Sequence, residues 1–507
     1  MTPSLVVTLW WLCFWTAVGL GIGSFLNVVV HRLPRNRSLR DPLWSACPHC
    51  DHRIRWYDNL PILSFLLLRG RCRDCGATIA TRYVVIEASM AVVVLMLLDA
   101  FFIGHVRAGL WDSPFGLTEE LVYDWPIFLA HIILFACLLS MSVIDLEHYW
   151  VDVRFTNFAV ISGFLLHILW TPRHSLPALG NNSPWDRPSS MTALMSIAAV
   201  AGLAFVWIVR ACQTHAEVEE LAGTRLDADT SGLPELAPSA GDPARIGGAW
   251  RPAAWLSATV LVGGVLALAA VESGARSPAY LLRAAIPLFL FFVLIVREGS
   301  IVRDSDQRIA EAIHEERQSA RRMVLGEFVL LFPAVLFATA AILIMCSDGE
   351  LPRRIDDVFS WRTRISGLSM LRSWAPLQGL ATAAAGYVIG GAVGWAVRIF
   401  FTLWFGREAF GTGDIHLMAA AGCVAGWPIV LLGFVLTCGL AMIGWLLCLP
   451  FKKTRTLPLG PWLSLAFLIV VVFYEPIRRT PTVRMVVATA QWLVAGDSQW
   501  IGLEVER

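Results

Sequence analysis

The stretch LVVTLWWLCFWTAVGLGIGSFLNVVV, residues 5–30, carries no charged side chain from end to end. About 20 apolar residues in a helix cross the hydrocarbon core of a bilayer. The run therefore reads as a membrane-spanning helix. It does not read as a removable signal segment, because no Lys or Arg precedes it and a basic cluster follows it. Further apolar runs lie near 83–104, 125–144, 155–171, 191–210, 253–272, 278–297, 324–346, 375–404, 426–449 and 459–475. A shorter apolar piece follows Asp414. The pattern predicts an all-α polytopic membrane protein with about 11 transmembrane helices.

Composition agrees. Of 507 residues, 56% are hydrophobic and only 16% are charged, where a soluble domain carries about 25%. Mean hydropathy is +0.62. The 22 tryptophans suit membrane–water interfaces. A net charge of +1 gives no nucleic-acid footprint, so the expected surroundings are the lipid bilayer and no nucleic acid. Local charge sets the orientation. Arg32, Arg35, Arg37, Arg40, Arg53, Arg55, Arg69, Arg71, Arg73 and Arg82 all fall between the first two runs. The next loop holds Asp112, Glu119, Glu120 and Asp124 against one Arg. The positive-inside rule places the first loop in the cytoplasm. Following the spans in order returns the chain to that side near Asp145 and again near Asp414.

Six segments follow. Residues 1–30 form the first span and 31–82 a cytoplasmic loop domain. Residues 83–172 hold further spans, 375–475 the last ones, and 476–507 a tail. Between them, 173–374 differs in character, with about four spans and two polar stretches. Residues 213–252, rich in Ala, Gly, Pro and Asp, read as a linker. Residues 297–322, charged on nearly every turn, read as a solvated helix continuing a span.

The loop domain holds Cys47-Pro-His-Cys50 and Cys72-Arg-Asp-Cys75, with 21 residues between the pairs. The other seven of the eleven cysteines lie singly in apolar runs and read as small buried hydrophobes. Two CxxC turns can complete a tetrahedron of thiolates around zinc, and four such ligands leave no open position, so the site would be structural. The spacing slightly exceeds the usual 15–20 of a simple ribbon. A redox CxxC is the alternative; cytoplasmic placement argues against disulfides. His49 then stands beside the site as a bystander.

Two acidic residues sit at span edges, where a carboxylate is costly. Asp145 ends a run in Ser142-Val143-Ile144-Asp145-Leu146-Glu147-His148, and Asp414 follows Gly411-Thr412-Gly413. The glycines permit close backbone approach. Two carboxyls brought together share one proton, so one serves as base and the other as acid. Such a pair suits amide hydrolysis. The blander reading makes each an interfacial cap.

At these residues the sequence resembles the prepilin peptidases, or type IV leader peptidases. Gly19 through Pro34 (GLGIGSFLNVVVHRLP) looks like the family's opening signature, and Cys47 through Glu87 is similar to its cysteine-containing cytoplasmic domain. Gly406 through Asp414 (GREAFGTGD) looks like the stretch before the second catalytic aspartate, a GxGD motif, and Thr456 through Pro461 (TLPLGP) resembles the approach to the last helix. The likeness covers about the first 172 and the last 130 residues. It implies an intramembrane aspartic endopeptidase of the bacterial inner membrane, with Asp145 and Asp414 as catalytic residues facing the cytoplasm. It implies type IV prepilin or pseudopilin substrates, of pili or type II secretion, cut after a Gly behind a basic leader. It also implies that the new N-terminus is methylated from S-adenosylmethionine, as in many members. Asp58, Asp74 and Glu87 are candidates to attract the basic leader.

Three features depart from the family. Val151-Asp152-Val153 replaces a Pro-containing turn, so Asp152 is a candidate to assist another acid. His416 stands where the family has Lys. The stretch 173–374 separates the two aspartates, and its even number of spans preserves the side on which Asp414 emerges. Two other functions compete: a scaffold of pilus or secretion assembly without catalysis, and a transporter with proton-relaying carboxylates. The second would need paired charges deep in several spans, and Glu327 and Glu272 lie only near span edges.

Overall fold

The computed structural model describes residues 3–35, 37–39, 44–104, 117–148, 152–170, 191–206, 320–347, 350–360, 375–406, 410–448, 458–478 and 480–481. The expected spans at 253–272 and 278–297, the stretch 213–252 and most of 297–322 lie outside the described residues, as does most of the tail.

Helices dominate. In chain order they are α1 (Pro3–Arg32), the short α2 (Leu63–Leu67), α3 (Arg82–Leu98), α4 (Leu117–His148), α5 (Val153–Leu169), α6 (Met191–Val206), α7 (Ala320–Ser347), α8 (Leu351–Ser360), α9 (Pro376–Phe405), α10 (Thr412–Ala425), α11 (Trp427–Cys448), α12 (Gly460–Val472) and the short α13 (Tyr474–Arg478). A π-helical turn, Asp99–Ile103, prolongs α3. Six of these segments, in α1, α3, α4, α7, α9 and α11, are long and apolar enough to cross a membrane. The protein is a multi-pass membrane protein. Among the described residues, α5, α6 and α12, each expected from sequence to be a span, are shorter apolar helices of 10–17 residues. Hydropathy counts apolar residues wherever they sit, whereas the helix ends where backbone geometry breaks. Trp170, extended at φ −127°, stops α5 short of the roughly 30 Å hydrocarbon core.

In lipid, apolar side chains gain little by leaving their solvent, so helices associate through close backbone approach and interhelical polar contacts. Both are visible. A Cβ on Gly19 would lie 2.6 Å from Ala91 Cα, and one on Gly23 would lie 2.5 Å from Glu87 Cα, so α1 lies flush on α3. Asn27 Nδ2 donates to the Tyr83 carbonyl at 3.1 Å and fixes the register of the pair. On the other side of the bundle, Gly386 of α9 and Gly422 of α10 stand back to back, and a Cβ on either would overlap the other's carbonyl oxygen. Side chains of α1, α3, α4, α5, α10, α11 and α12 merge into one apolar core. From the long inserted stretch, α6 meets α7 where Gly202 faces Ala334 Cα at 2.7 Å, and Ile355 and Phe359 of α8 pack with Ala193 of α6 and Ala381 of α9.

Polar contacts gather at the two ends of the bundle. At one end Arg82, opening α3, pairs with Glu147, closing α4, at 2.5 Å. Arg154 at the start of α5 donates to the Leu33 carbonyl, just past α1, at 2.9 Å. At the other end Trp170 Nε1 donates to Asp124 Oδ1 at 2.7 Å. Gly23→Ala is expected to cost about 1–3 kcal/mol by overpacking α1 against α3. Gly21→Ala, with no atom within 4 Å of the added carbon, is expected to be neutral or slightly stabilising. Thermal unfolding of both variants in detergent checks the contrast.

Candidate functional site

Asp145 lies in the last turn of α4 and is buried. Its Oδ2 accepts the backbone N–H of Gly460 at 3.2 Å, where α12 begins. A Cβ on Gly460 would lie 2.7 Å from that oxygen, so only glycine lets the amide reach the carboxyl. Two serines brace the junction. Ser142 Oγ donates to Ser464 Oγ at 3.0 Å, and Ser464 Oγ donates to the Gly460 carbonyl at 2.9 Å. Gly460 is a site residue that sequence reading missed. In the sequence it stands only at the approach to a helix, and the signal available there is a glycine directly before a proline at a helix start.

Asp414 occupies the first turn of α10, a position favoured for a carboxylate by the helix dipole. Gly411 precedes the helix in extended geometry, and a Cβ there would lie 3.2 Å from Asp414 Oδ2. Asp414 is half-buried. Although 268 positions of chain separate them, the two carboxyls come close enough for the charge of Asp145 to act on Asp414. They lie at the end of the bundle where α1 and α4 finish and α3, α5, α10 and α12 start. Two acids so placed, one buried and held by an amide and the other half-buried, disfavour simultaneous ionisation. His416, half-buried, follows two positions later on α10. Arg407, Glu408 and Ala409 lie outside the described residues.

The other expected acids are occupied. Asp152, a candidate assistant acid, instead caps α5: Oδ1 accepts the Arg154 amide at 3.0 Å, and the Arg154 guanidinium grips both oxygens at 2.6–3.0 Å. In place of the proline stands an N-cap side chain that is itself ion-paired. Asp58 is paired with Arg73 at 2.7 Å, which holds its carboxyl below the usual range. Asp74 is paired with Arg55 at 3.2 Å and lies 3.1 Å from His52. Glu87 is buried and accepts the Ile62 amide at 2.8 Å, tying the loop domain to α3. None of the three is a free acid awaiting a basic peptide.

Cys47, Cys50, Cys72 and Cys75 do come together, with all four sulfurs within 4.8 Å of one another. The loop builds them from two matching turns. Cys47 N–H donates to the His52 carbonyl at 3.0 Å and Asp51 N–H to the Cys47 carbonyl at 2.9 Å. The same bonds recur from Cys72 to Ala77 at 2.8 Å and from Gly76 to Cys72 at 3.0 Å. Single β-bridges, Ala46 with Arg53 and Arg71 with Thr78, close both turns. Asp51 (φ 52°) and Gly76 (φ 70°) occupy equivalent left-handed positions. Amides of Cys75 and Asp74 draw the Cys72 thiol down to about 7. The His52 amide favours the Cys50 thiolate, but desolvation and the thiols of Cys75 and Cys47 outweigh it and push that group up to about 12. Four thiolates cannot crowd here without a cation. The 3.8 Å between Cys47 and Cys75 sulfurs fits the roughly 3.8 Å edge of a tetrahedron with Zn–S of about 2.3 Å. The donor set therefore suits a metal ion, and exposed His49 stands outside it.

Residues 17–101 match a family model described as the Bacterial Peptidase A24 N-terminal domain. The chain is 36% identical over 153 residues to a prepilin leader peptidase/N-methyltransferase of Myxococcus xanthus, a match covering 30% of this chain and 39% of that one. It is 34% identical over 211 residues to the type 4 prepilin-like proteins leader peptide-processing enzyme of Escherichia coli O78:H11, covering 38% of this chain and 66% of the relative. A prepilin leader peptidase/N-methyltransferase of Vibrio cholerae is 41% identical over 90 residues, 16% of this chain and 36% of that one. The chain thus spans less than two thirds of the length of these relatives. No solved structure matches. Over part of its length, the N-terminal domain included, the chain is similar to the prepilin leader peptidases.

Proposed function

We propose that this protein is an aspartic endopeptidase that removes the basic leader from type IV prepilins or pseudopilins. The cut would fall at the cytoplasmic face of the bacterial inner membrane, with Asp145 and Asp414 as the acid pair. One observation supports the reading: two carboxyls from distant parts of the chain lie at the same end of the helix bundle, within range of each other's charge. The relatives' names supply the substrate class. The arginine-rich loop at the same end supports the cytoplasmic orientation. A total of about 11 spans completes the topology, and the domain limits given above describe its parts.

In the working pair one carboxyl is ionised and the other protonated. The carboxylate takes a proton from a water whose oxygen bonds to the scissile carbonyl carbon. The protonated partner gives its proton to the leaving nitrogen as the C–N bond breaks. The Gly460 amide holds Asp145 in place through the cycle. A glycine before the cut helps, because opening a helix there costs roughly 1 kcal/mol less than at alanine.

Structural zinc on Cys47, Cys50, Cys72 and Cys75 would pin the loop domain beside the site, and Glu87 carries that order into α3. Methyl transfer from S-adenosylmethionine rests on the relatives' names. The Gly19–Gly23 run offers no cradle for that cofactor, because α3 fills the space over Gly19 and Gly23.

Asp145→Asn and Asp414→Asn are each expected to slow prepilin cleavage by roughly 10²–10⁴-fold, read from the N-terminal sequence of a co-expressed prepilin. Unchanged cleavage in both would leave only a scaffold role. Gly460→Ala, which crowds Oδ2 of Asp145, is expected to lower kcat by roughly tenfold or more. Metal analysis of purified protein is expected to find about one zinc per chain, lost in Cys72→Ser. A metal-free wild-type protein would remove the zinc assignment.

A further inference from the structure

Arg398, in the last third of α9, is only 1% exposed. A guanidinium stays charged at any pH a protein meets, so burying it demands a partner. The partner comes from the inserted stretch. Glu327 of α7 is itself buried. Arg398 Nε donates to both of its carboxylate oxygens at 3.1 Å, and Nη2 donates to Oε1 at 2.8 Å. Nη1 points the other way and donates to the carbonyl of buried Phe410. Phe410 directly precedes Gly411, from which α10 starts, and no side chain caps that start. The turn bearing Asp414 is thus tied at its leading edge to Arg398, and Arg398 is held square by Glu327.

Stability alone explains the pair poorly. Desolvation commonly cancels the attraction of a buried ion pair, and apolar residues of similar volume do as well. An apolar pair cannot fix a carbonyl in space, whereas the planar guanidinium fork can serve a carboxylate on one side and a carbonyl on the other. We propose that Glu327 is a positioning residue for Asp414, acting through Arg398 and the Phe410 carbonyl. The inserted stretch then completes the scaffold of the acid pair from a part of the chain that has no counterpart in the motifs. The proposal rests on the peptidase reading of Asp414.

The test uses full-length protein in lipid nanodiscs, with Glu327→Ala, the near-isosteric Glu327→Gln, Glu327→Asp, and the apolar double variant Glu327→Leu/Arg398→Met. Cleavage kinetics are measured on a prepilin, and amide hydrogen exchange is followed without substrate. Glu327→Ala and Glu327→Gln are expected to lower kcat by roughly tenfold to a hundredfold with KM nearly unchanged. The Ile415 amide, which bonds to the Gly411 carbonyl, should exchange roughly tenfold faster as the first turn of α10 loosens. Glu327→Asp should recover part of both losses. The double variant should regain thermal stability while kcat and Ile415 protection stay low. A double variant with wild-type kcat and protection would overturn the proposal, as would wild-type values in Glu327→Gln. If Glu327→Ala fails to fold, the Gln and double variants decide. Wild-type protein that leaves prepilin uncut would overturn the peptidase reading instead, and the substrate-free exchange would still judge the clamp.

Discussion

The close approach of helix backbones through glycine governs this molecule. Within a bilayer, apolar residues have no water to escape, so two helices stay together only where their surfaces fit and their polar groups pair. Gly386 against Gly422 draws α9 and α10 together, and Gly19 and Gly23 seat α1 on α3. These contacts fix helices to each other at the level of main-chain atoms. A carboxyl at a helix end inherits that precision, which apolar side-chain packing alone would not supply.

The same use of glycine recurs at the acids. Gly460 lets a backbone amide reach Asp145, and Gly411 leaves room beside the carboxyl of Asp414. Neither glycine sits in a left-handed conformation, since Gly411 has φ −68° and Gly460 begins a helix. What they supply is space for another element. Around the acids, nearby charges are satisfied by partners: Arg82 by Glu147, Arg154 by Asp152, Arg398 by Glu327. Each pair joins helix ends or helices at the same end of the bundle, and none engages Asp145 or Asp414. Among the described residues, Asp145 is held by the Gly460 amide and Asp414 by the backbone of Gly411.

The departures from the family pattern find physical explanations of unequal completeness. Asp152 compensates for the absent proline by capping α5 directly, so the turn is held by hydrogen bonds in place of a ring. The acids Asp58 and Asp74, which looked free in the sequence, neutralise arginines of the same loop that are distant by 15 and 19 residues. Sequence spacing gave no sign of those pairings. Nothing in the structure explains why His416 replaces lysine.

The sequence alone determined the membrane class, the thiol cluster and the two candidate acids. Uncharged runs, paired CxxC turns and a carboxylate at a span edge are local features, each legible because its chemistry admits few settings. Tertiary structure decided the rest. Helix lengths were set there too, since hydropathy does not record where the backbone stops being helical, as at the short α5 and α12. The Gly460 amide on Asp145 and the Glu327–Arg398–Phe410 chain join residues 315 and 71 positions apart, and then 12. Such contacts arise from the packing of whole helices, and no window of sequence contains both partners.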